Sequence, residues 1–210
     1  MVPQACRFRW LALSSAGACM DRGMVQPPYL SLVEPWQIDE PRLLHETRIF
    51  TLREHQGHSQ THPAKRGAFV TLAAGDWVNV VALTDDEQVV MVEQYRHGFG
   101  GVTLEIPGGM VDGDEGPLAA GLRELGEETG YAGEGARLIG RVSPNPAIQT
   151  NWCHTVLVPS VALVGAPQPE GTEEIGVRLV PRHQISDLIR RGVIHHALVV
   201  AAFHHLSLLA

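Results

Sequence analysis

A chain of 210 residues with 44% hydrophobic side chains is long and apolar enough to fold as one globular domain, which excludes a disordered protein. Its formal charge of −7, from 16 Lys and Arg against 23 Asp and Glu, disfavours a general nucleic-acid binder but allows a phosphate ligand recruited through a metal ion. The three cysteines form no CxxC pair and no apolar run is long enough to cross a bilayer. The sequence therefore predicts a cytoplasmic protein without membrane contact, zinc framework or disulfide scaffold.

Residues 1–46 are predicted to form an N-terminal extension that is partly disordered or in contact with a second subunit. Pro35 interrupts regular structure there. A short apolar stretch near the start only faintly resembles a signal peptide, and a disordered extension or translation from Met20 or Met24 is favoured over it. Residues 47–210 are predicted to form the functional domain.

From Arg48 onward, β-branched and apolar runs alternate with charged or glycine-containing turns, a pattern typical of strands. A helix is predicted at Pro117–Thr129, with proline in the first turn and Gly130 as the C-terminal stop. Two more helices are predicted at Arg182–Arg191 and Ala197–Leu209. This order indicates an α/β (α+β) fold with a mixed sheet between helices. The predicted strands are Arg48–Glu54, Ala68–Leu72, Val78–Leu83, Val89–Gln94, Thr103–Ile106, Arg137–Val142, His154–Pro159 and Ile175–Val180.

The helix at residues 117–129 is predicted to carry its leucines and its glutamates on different faces. At about 100° per residue, Leu118, Leu122 and Leu125 form a narrow apolar stripe that should face the core. The carboxylates that share the opposite face are Glu124, Glu127 and Glu128. They repel one another, and interior glycines weaken the helix further, which is unfavourable for stability alone. A solvated acidic face is one interpretation, but hard oxygen ligands on one face predict a magnesium site that phosphate completes.

The segment from Gly109 to Tyr131 resembles the Nudix box, G-x5-E-x7-R-E-U-x-E-E-x-G-U, in which U is a bulky apolar residue. Tyr131 takes the last apolar position, where an aliphatic residue is usual. The resemblance implies an α/β/α sandwich around a mixed sheet, with a catalytic loop-helix-loop. It also implies hydrolysis of a nucleoside diphosphate linked to another moiety, with Mg²⁺ or Mn²⁺ as cofactor. The fixed positions of the box are Gly109, Glu115, Arg123, Glu124, Leu125, Glu127, Glu128 and Gly130.

Carried over by position, the resemblance assigns roles to the box and to one later loop. Glu124 is implied to act in catalysis as well as in metal binding. The catalytic base is implied to come from the acidic loop before residues 175–180, where Glu173 and Glu174 rank ahead of Glu170. The implied metal ligands are Glu124, Glu127, Glu128 and the carbonyl oxygen of Gly108. The residues implied to brace the loop-helix-loop are Gly109, Glu115 and Arg123.

Two further segments, Glu93–Arg96 and Leu104–Gly109, are similar to the QYR and E-x-P-x-G segments of ADP-ribose and ADP-sugar pyrophosphatases. A guanidinium fork matches phosphate, so Arg96 is a candidate phosphate ligand, with a surface arginine at a strand end as the alternative. Relatives use an N-terminal aromatic residue to stack the base, often across a dimer. This assigns base stacking to Trp36, unless Trp36 packs on the core, and it implies a homodimer. The histidines expected at the surface or as helix caps are His195, His196, His204 and His205.

The predicted function is magnesium-dependent hydrolysis of the pyrophosphate of ADP-ribose or a related nucleoside diphosphate sugar, yielding a nucleoside monophosphate and a sugar phosphate. One alternative is hydrolysis of another nucleoside diphosphate derivative, such as a dinucleotide or a modified nucleoside triphosphate. Another is a module that binds nucleotide-sugars without cleaving them, although the complete glutamate set argues against a sensor. The predicted partner is a small-molecule nucleotide, and neither nucleic acid nor a membrane is expected to bind.

Overall fold

The chain forms many short strands and a few helices. A computed structural model describes residues 31–169 and 171–209, and a compact unit begins at Trp36. The strands in the described residues are β1 (Trp36–Ile38), β2 (Arg42–Glu46), β3 (Thr51–Ser59), β4 (Arg66–Ala73), β5 (Trp77–Ala82), β6 (Gln88–Arg96), β7 (Gly101–Glu105), β8 (Gly108–Met110), β9 (Tyr131–Glu134), β10 (Arg137–Val142), β11 (Cys153–Val158), β12 (Ser160–Leu163) and β13 (Ile175–Pro181). The α-helices are α1 (Pro117–Thr129), α2 (Ile185–Arg190) and α3 (Ala197–Ser207), and a 3-10 turn at Arg182–Gln184 precedes α2.

Most predicted elements are present, with ends displaced by a few residues. Helix α1 and strand β10 have the predicted bounds. Gly130 ends α1 in the left-handed conformation, at φ 72°, where a Cβ would lie 2.2 Å from the carbonyl oxygen of Gly165. The helix predicted at residues 182–191 is shorter, because its first turn is the 3-10 turn. The strands that the sequence pattern missed are β1, β2, β8, β9 and β12, which are three to five residues long and lack an alternating apolar pattern.

A mixed four-stranded sheet, ordered β10-β11-β5-β8, separates two hydrophobic clusters. Strand β11 is parallel to β5, and the other neighbouring pairs are antiparallel. Because successive side chains of a strand point to opposite faces, Val80 of β5 packs in the cluster that contains Leu125 of α1. Val81 packs in the cluster that contains Phe203 of α3. Helices cover both faces of the sheet, so the predicted α/β/α sandwich with a mixed sheet is confirmed.

In the described residues the remaining strands form three further sheets, of four, three and two strands. Strand β6 lies between β7 and β13, and β9 pairs with β12. Strand β3 pairs with β4 along one edge and with β1 and β2 along the other. The part of the chain that was assigned to an extension thus contributes two strands, β1 and β2. None of the helices in the described residues has the length and apolar character needed to cross a membrane.

The buried face of α1 differs from the predicted leucine stripe. Leu125 is fully buried, whereas Leu118 and Leu122 are 37% and 38% exposed. The other buried positions of the helix are Ala120, Gly121, Glu128 and Thr129. The prediction that the leucines face the core and all three glutamates lie opposite is therefore wrong. Glu128 shares the buried face with Leu125, because the small residues of that face let the helix approach the sheet closely.

The two interior glycines of α1 should respond differently to alanine. A Cβ at Gly121 would lie 3.1 to 3.2 Å from methyl carbons of Val78, Val80 and Val156, whereas a Cβ at Gly126 would meet no described atom outside its own helix within 4 Å. We expect Gly126→Ala to raise the free energy of unfolding by about 1 kcal/mol through helix propensity. We expect Gly121→Ala to lower it by about 1–2 kcal/mol, because three valines must shift. Urea unfolding of both variants tests this, and equal stabilisation would contradict the packing argument.

Candidate active site

A cleft of about 1060 Å³ opens at one end of α1 and the sheet. Its walls come from β5, β8 and α1, from the ends of β6 and β7, from the loop before β13 and from the start of α3. Most of its charged groups are acidic. The carboxylates that line it are Glu105, Asp112, Glu124, Glu127, Glu128 and Glu173. A cavity of this size accommodates a nucleotide.

Two glycines bring strand β8 into direct contact with its neighbours at the floor of the cleft. A Cβ at Gly108 would lie 2.2 Å from the carbonyl oxygen of Val78, and a Cβ at Gly109 would lie 2.2 Å from Glu124 Oε1. No side chain fits at Gly108, where the blocking atom belongs to the backbone, whereas a side chain at Gly109 would displace the carboxylate of Glu124. The approach lets the backbone N–H of Gly108 donate to Glu128 Oε2 at 3.0 Å.

Arg123 connects the loop before α1 to the carboxylates of the helix. Its Nη2 donates to Glu115 Oε1 at 2.7 Å, and its Nη1 donates to Glu124 Oε1 and to Glu127 Oε2, both at 3.0 Å. Glu115 in turn accepts from the backbone N–H of Asp112 at 2.9 Å. The hydrogen bond to Glu115 is the main reason that the pKa of Arg123 is raised. Glu115 and Arg123, two of the three residues predicted to brace the loop-helix-loop, are thus joined in one network.

Burial and nearby negative charge make two glutamates of α1, Glu124 and Glu128, difficult to ionise. The pKa of Glu128 is raised to about 8, chiefly by burial and also by the charges of Glu124 and Glu173, although the Gly108 N–H opposes the shift. Burial also raises the pKa of Glu124, against the opposing effect of Arg123. Glu173 affects both groups, so its carboxylate is electrostatically coupled to the cluster. A cation at this place would relieve the repulsion.

The glutamates are not gathered around one point. Among residues 31–169 and 171–209, no three His, Cys, Asp or Glu side chains are close enough together to hold a metal ion. Arg123 stands between Glu124 and Glu127, and Glu128 is held by the Gly108 N–H. The donor set of hard carboxylate oxygens nevertheless suits a divalent cation such as Mg²⁺. The positive charge of the Arg123 guanidinium balances part of the negative charge of these glutamates, which a bound cation would also balance.

Arg96 lies in the cleft, but its fork is directed at a carboxylate of the same chain. Its Nε donates to Glu105 Oε1 at 2.9 Å and its Nη2 donates to Glu105 Oε2 at 2.8 Å. The side chain of Glu105 is only 3% exposed, against 43% for Arg96. Glu105 thus engages Nε and Nη2 of Arg96, and the assignment of Arg96 as a phosphate ligand stays a prediction. Its Nη1 forms no hydrogen bond with the described residues, and it is the part of the fork left for a ligand.

His196 is a site residue that the sequence analysis missed. It occupies the N-cap position of α3, but its side chain makes no capping bond and instead pairs through Nδ1 with Glu105 Oε2 at 2.9 Å. His195 contacts Phe99 edge-to-face at the rim of the cleft, with 4.7 Å between ring centroids. His205 bonds to Thr155 in the interior at 3.0 Å. His195 and His204 are exposed, as expected of surface histidines, whereas the expectation is wrong for the side chains of His196 and His205.

The other predicted site residues lie in different places. Glu173 lines the cleft, whereas Glu174 is not among its lining residues. Glu170 lies outside the described residues. Trp36 does not line the cleft of its own chain, and it packs edge-to-face on Phe69, with 5.4 Å between ring centroids. The structure thus brings Glu173, but not Trp36, to the glutamates of α1.

Two polar side chains of the lining were also missed. Arg48 is exposed in the cleft and forms no ion pair with any residue the structure describes. The sequence analysis had placed it only as the start of a strand. The amide nitrogen of Asn79 is buried in the cleft wall without a hydrogen-bond partner in the described part of the chain. Such a group is satisfied when a ligand or water binds beside it.

Fold and box together define the class of this protein, because the box glutamates and the Gly108–Gly109 strand occupy one cleft in an α/β/α sandwich. A model of the NUDIX domain matches residues 75–203, more than half of the chain, so the protein belongs to the Nudix hydrolase family. The resemblance recognised in the sequence is confirmed.

The individual proteins that this chain resembles include pyrophosphatases of ADP-ribose and of ADP-sugars. The chain is 27% identical over 163 residues to the ADP-ribose pyrophosphatase of Mycobacterium tuberculosis, which covers 75% of this chain and 76% of that protein. It is 43% identical over 72 residues to the ADP-sugar pyrophosphatase of Mus musculus, which covers 34% of this chain and 33% of the mouse protein. The match thus spans only a third of the mouse protein's length. The crystal structure of an ADP compounds hydrolase superposes on this chain with a TM-score of 0.74, over 85% of this chain and 95% of that chain. At 18% sequence identity, this likeness shows a shared fold alone.

Proposed function

We propose that this protein hydrolyses the pyrophosphate linkage of ADP-ribose or a related nucleoside diphosphate sugar, in a magnesium-dependent reaction that yields a nucleoside monophosphate and a sugar phosphate. One observation carries the proposal: Glu124 and Glu128 contact Gly108 and Gly109 of strand β8, and Glu127 lines the same nucleotide-sized cleft. The names of the Mycobacterium and mouse relatives support an ADP-linked substrate.

The residues that would hold the metal are Glu124, Glu127, Glu128 and the Gly108 carbonyl. When bound, Mg²⁺ or Mn²⁺ neutralises the pyrophosphate, polarises its phosphoryl oxygens and lowers the pKa of the attacking water. Arg123 orients Glu124 and Glu127, and through Glu115 it ties them to the loop before α1. The protein thereby limits the motion of its carboxylates before a substrate enters.

Glu173 is the favoured catalytic base. It lines the cleft and raises the pKa of both Glu124 and Glu128 through its charge, so its carboxylate faces the cluster. From there it can orient the attacking water or accept its proton. Glu174 is the second candidate, because it is the next residue of the same loop.

Arg48 is the favoured phosphate ligand of the cleft. Its guanidinium makes no ion pair with the described residues, whereas Glu105 occupies most of the fork of Arg96. A free guanidinium binds phosphate oxygens in a bidentate manner. We assign the single free nitrogen of Arg96 to a weaker polar contact.

The experiment that tests the function is incubation of the protein with Mg²⁺ and a panel of nucleotides, followed by chromatography of the products. The panel contains ADP-ribose, ADP-glucose, a diadenosine polyphosphate and an oxidised nucleoside triphosphate. We expect AMP and ribose 5-phosphate from ADP-ribose. Preferred cleavage of the dinucleotide or the triphosphate would replace the proposed substrate, and tight binding without cleavage of any member would indicate a sensor.

We also propose a homodimer that forms through an apolar patch on the N-terminal sheet. Trp36, Ile38 and Phe69 share one face of this sheet and are 37%, 61% and 41% exposed. An exposed apolar patch of this kind marks an interface. In a dimer, Trp36 could reach the cleft of the partner and stack on the base.

A cytoplasmic location is proposed as well, because Cys153 is a buried free thiol.

The dimer makes a prediction for Phe69. We expect Phe69→Glu to convert the dimer to a monomer, because a carboxylate cannot be buried unpaired in an apolar interface. Light scattering after gel filtration measures the mass. Val164→Glu is the control, because Val164 is 70% exposed in a loop outside that sheet. A monomeric unaltered protein would contradict the proposal.

A further inference from the structure

Glu105 has no acceptor position left for a substrate. A carboxylate accepts about four hydrogen bonds. Oε1 accepts from Arg96 Nε at 2.9 Å and from Thr103 Oγ1 at 2.5 Å. Oε2 accepts from Arg96 Nη2 at 2.8 Å and pairs with His196 Nδ1 at 2.9 Å. A buried and fully occupied carboxylate positions its neighbours and does not contact the ligand itself.

This arrangement determines which atoms of Arg96 and His196 remain available. Burial opposes ionisation of Glu105, but the hydrogen bonds from Arg96, His196 and Thr103 outweigh it and hold its pKa well below the ordinary range. An ionised carboxylate only accepts, so Nδ1 of His196 must carry the proton. In the neutral imidazole the other nitrogen, Nε2, is then an acceptor. The free atom of Arg96 is the donor Nη1.

The two free atoms belong to side chains that are held by the same carboxylate and line the same cleft. The negative charge of Glu105 balances the positive charge of Arg96, so this wall of the cleft has little net charge. It offers a ligand one hydrogen-bond donor and one acceptor. A phosphate needs donors and positive charge, whereas a hydroxyl group accepts one hydrogen bond and donates another. The wall therefore matches a hydroxyl better than a phosphate.

We propose that His196 Nε2 and Arg96 Nη1 bind a sugar hydroxyl of the substrate, with Glu105 as the positioning residue. The inference rests on the proposed function, since it names the part of a nucleotide-sugar that this wall contacts. The hydroxyl can belong to the ribose of the nucleoside or to the terminal sugar. These two sources share one chemistry, and substrate analogues separate them.

The test compares the unaltered protein with His196→Ala on three compounds. ADP-ribose carries both sets of hydroxyls, β-methyl-ADP lacks the terminal sugar, and ADP-ribose built on 2′,3′-dideoxyadenosine lacks the nucleoside hydroxyls. We expect His196→Ala to lower kcat/KM for ADP-ribose about tenfold, the effect of one lost hydrogen bond. The loss should disappear with whichever analogue lacks the contacted hydroxyl, and that analogue identifies the sugar.

His204→Ala is the matched control, since His204 is an exposed histidine of the same helix outside the cleft. An equal loss with all three compounds, or no loss with ADP-ribose, would overturn the assignment. Calorimetric binding of the same compounds in EDTA separates this inference from the proposed function. If binding shows the expected pattern but no compound is cleaved, the hydroxyl site stands and the hydrolase proposal fails. No binding of ADP-ribose in EDTA together with no cleavage in Mg²⁺ contradicts both.

Discussion

Replacement of Glu127 by Gln is expected to lower kcat/KM for ADP-ribose at least about a hundredfold, because loss of a residue that only supports a metal ligand already costs 10- to 100-fold. The fold should persist, since Gln has the same size and the half-buried i,i+4 pair with Arg123 contributes roughly 0.5 kcal/mol. The rise in melting temperature on addition of Mg²⁺ should shrink in the variant, because a ligand that binds the folded state less tightly stabilises it less.

Glu134→Gln is the control for this substitution, because Glu134 is an exposed glutamate of β9 that does not line the cleft. Its activity and its response to Mg²⁺ should equal those of the unaltered protein. A Glu127→Gln variant with full activity would remove Glu127 from the metal site. A variant that loses activity while its Mg²⁺ response stays intact would assign Glu127 to the substrate.

Replacement of Glu105 by Gln is expected to lower the free energy of unfolding by about 2–3 kcal/mol and to lower kcat/KM for ADP-ribose about tenfold or more. The amide cannot accept at both ends, so one of the donors from Arg96 or His196 faces another donor. The stability loss stays at the low end for a buried ion pair, because Arg96 is 43% exposed and water can hydrate it. Urea unfolding and steady-state kinetics measure the two effects.

The Glu93–Arg178 pair offers a matched control for Glu105→Gln. It has the same chemistry, with a contact of 2.9 Å, but its side chains are 40% and 56% exposed. We expect Glu93→Gln to cost less than about 1 kcal/mol, as exposed pairs do. Equal losses in the two variants would show that burial does not matter at Glu105. Full activity of Glu105→Gln would contradict its positioning role.

The helix of the box was predictable from local signals. Pro117 in its first turn and Gly130 as its stop determine its ends through contacts within a few residues, and these ends are observed. The spacing of Glu124, Glu127 and Glu128 follows from the helix period in the same way. The sequence could not predict which face of the helix is buried. Leu118, Leu122 and Leu125 have the same hydropathy, yet only Leu125 is fully buried. Close approach at Gly121 selected Leu125 and Glu128 for the interior.

The partners of the cleft residues depend on contacts between distant segments. His196 reaches Glu105 across 91 positions of the chain, and no periodicity relates two such residues. Arg96 and Glu105 are nine positions apart on neighbouring strands, so their pairing depends on the register of the β6–β7 hairpin. Trp36 packs on Phe69 because β1 and β4 flank β3, and the sequence pattern had missed β1.

By itself, the sequence determined the family box, the catalytic helix and its three glutamates, and the layered fold, because these follow from spacing along the chain and from local helix and strand signals. Only the tertiary structure decided which carboxylate is buried, that Glu105 engages most of the fork of Arg96, and that His196 belongs to the cleft. These outcomes depend on which side chains meet across the sheet, and burial then shifts the pKa of the ionisable groups among them.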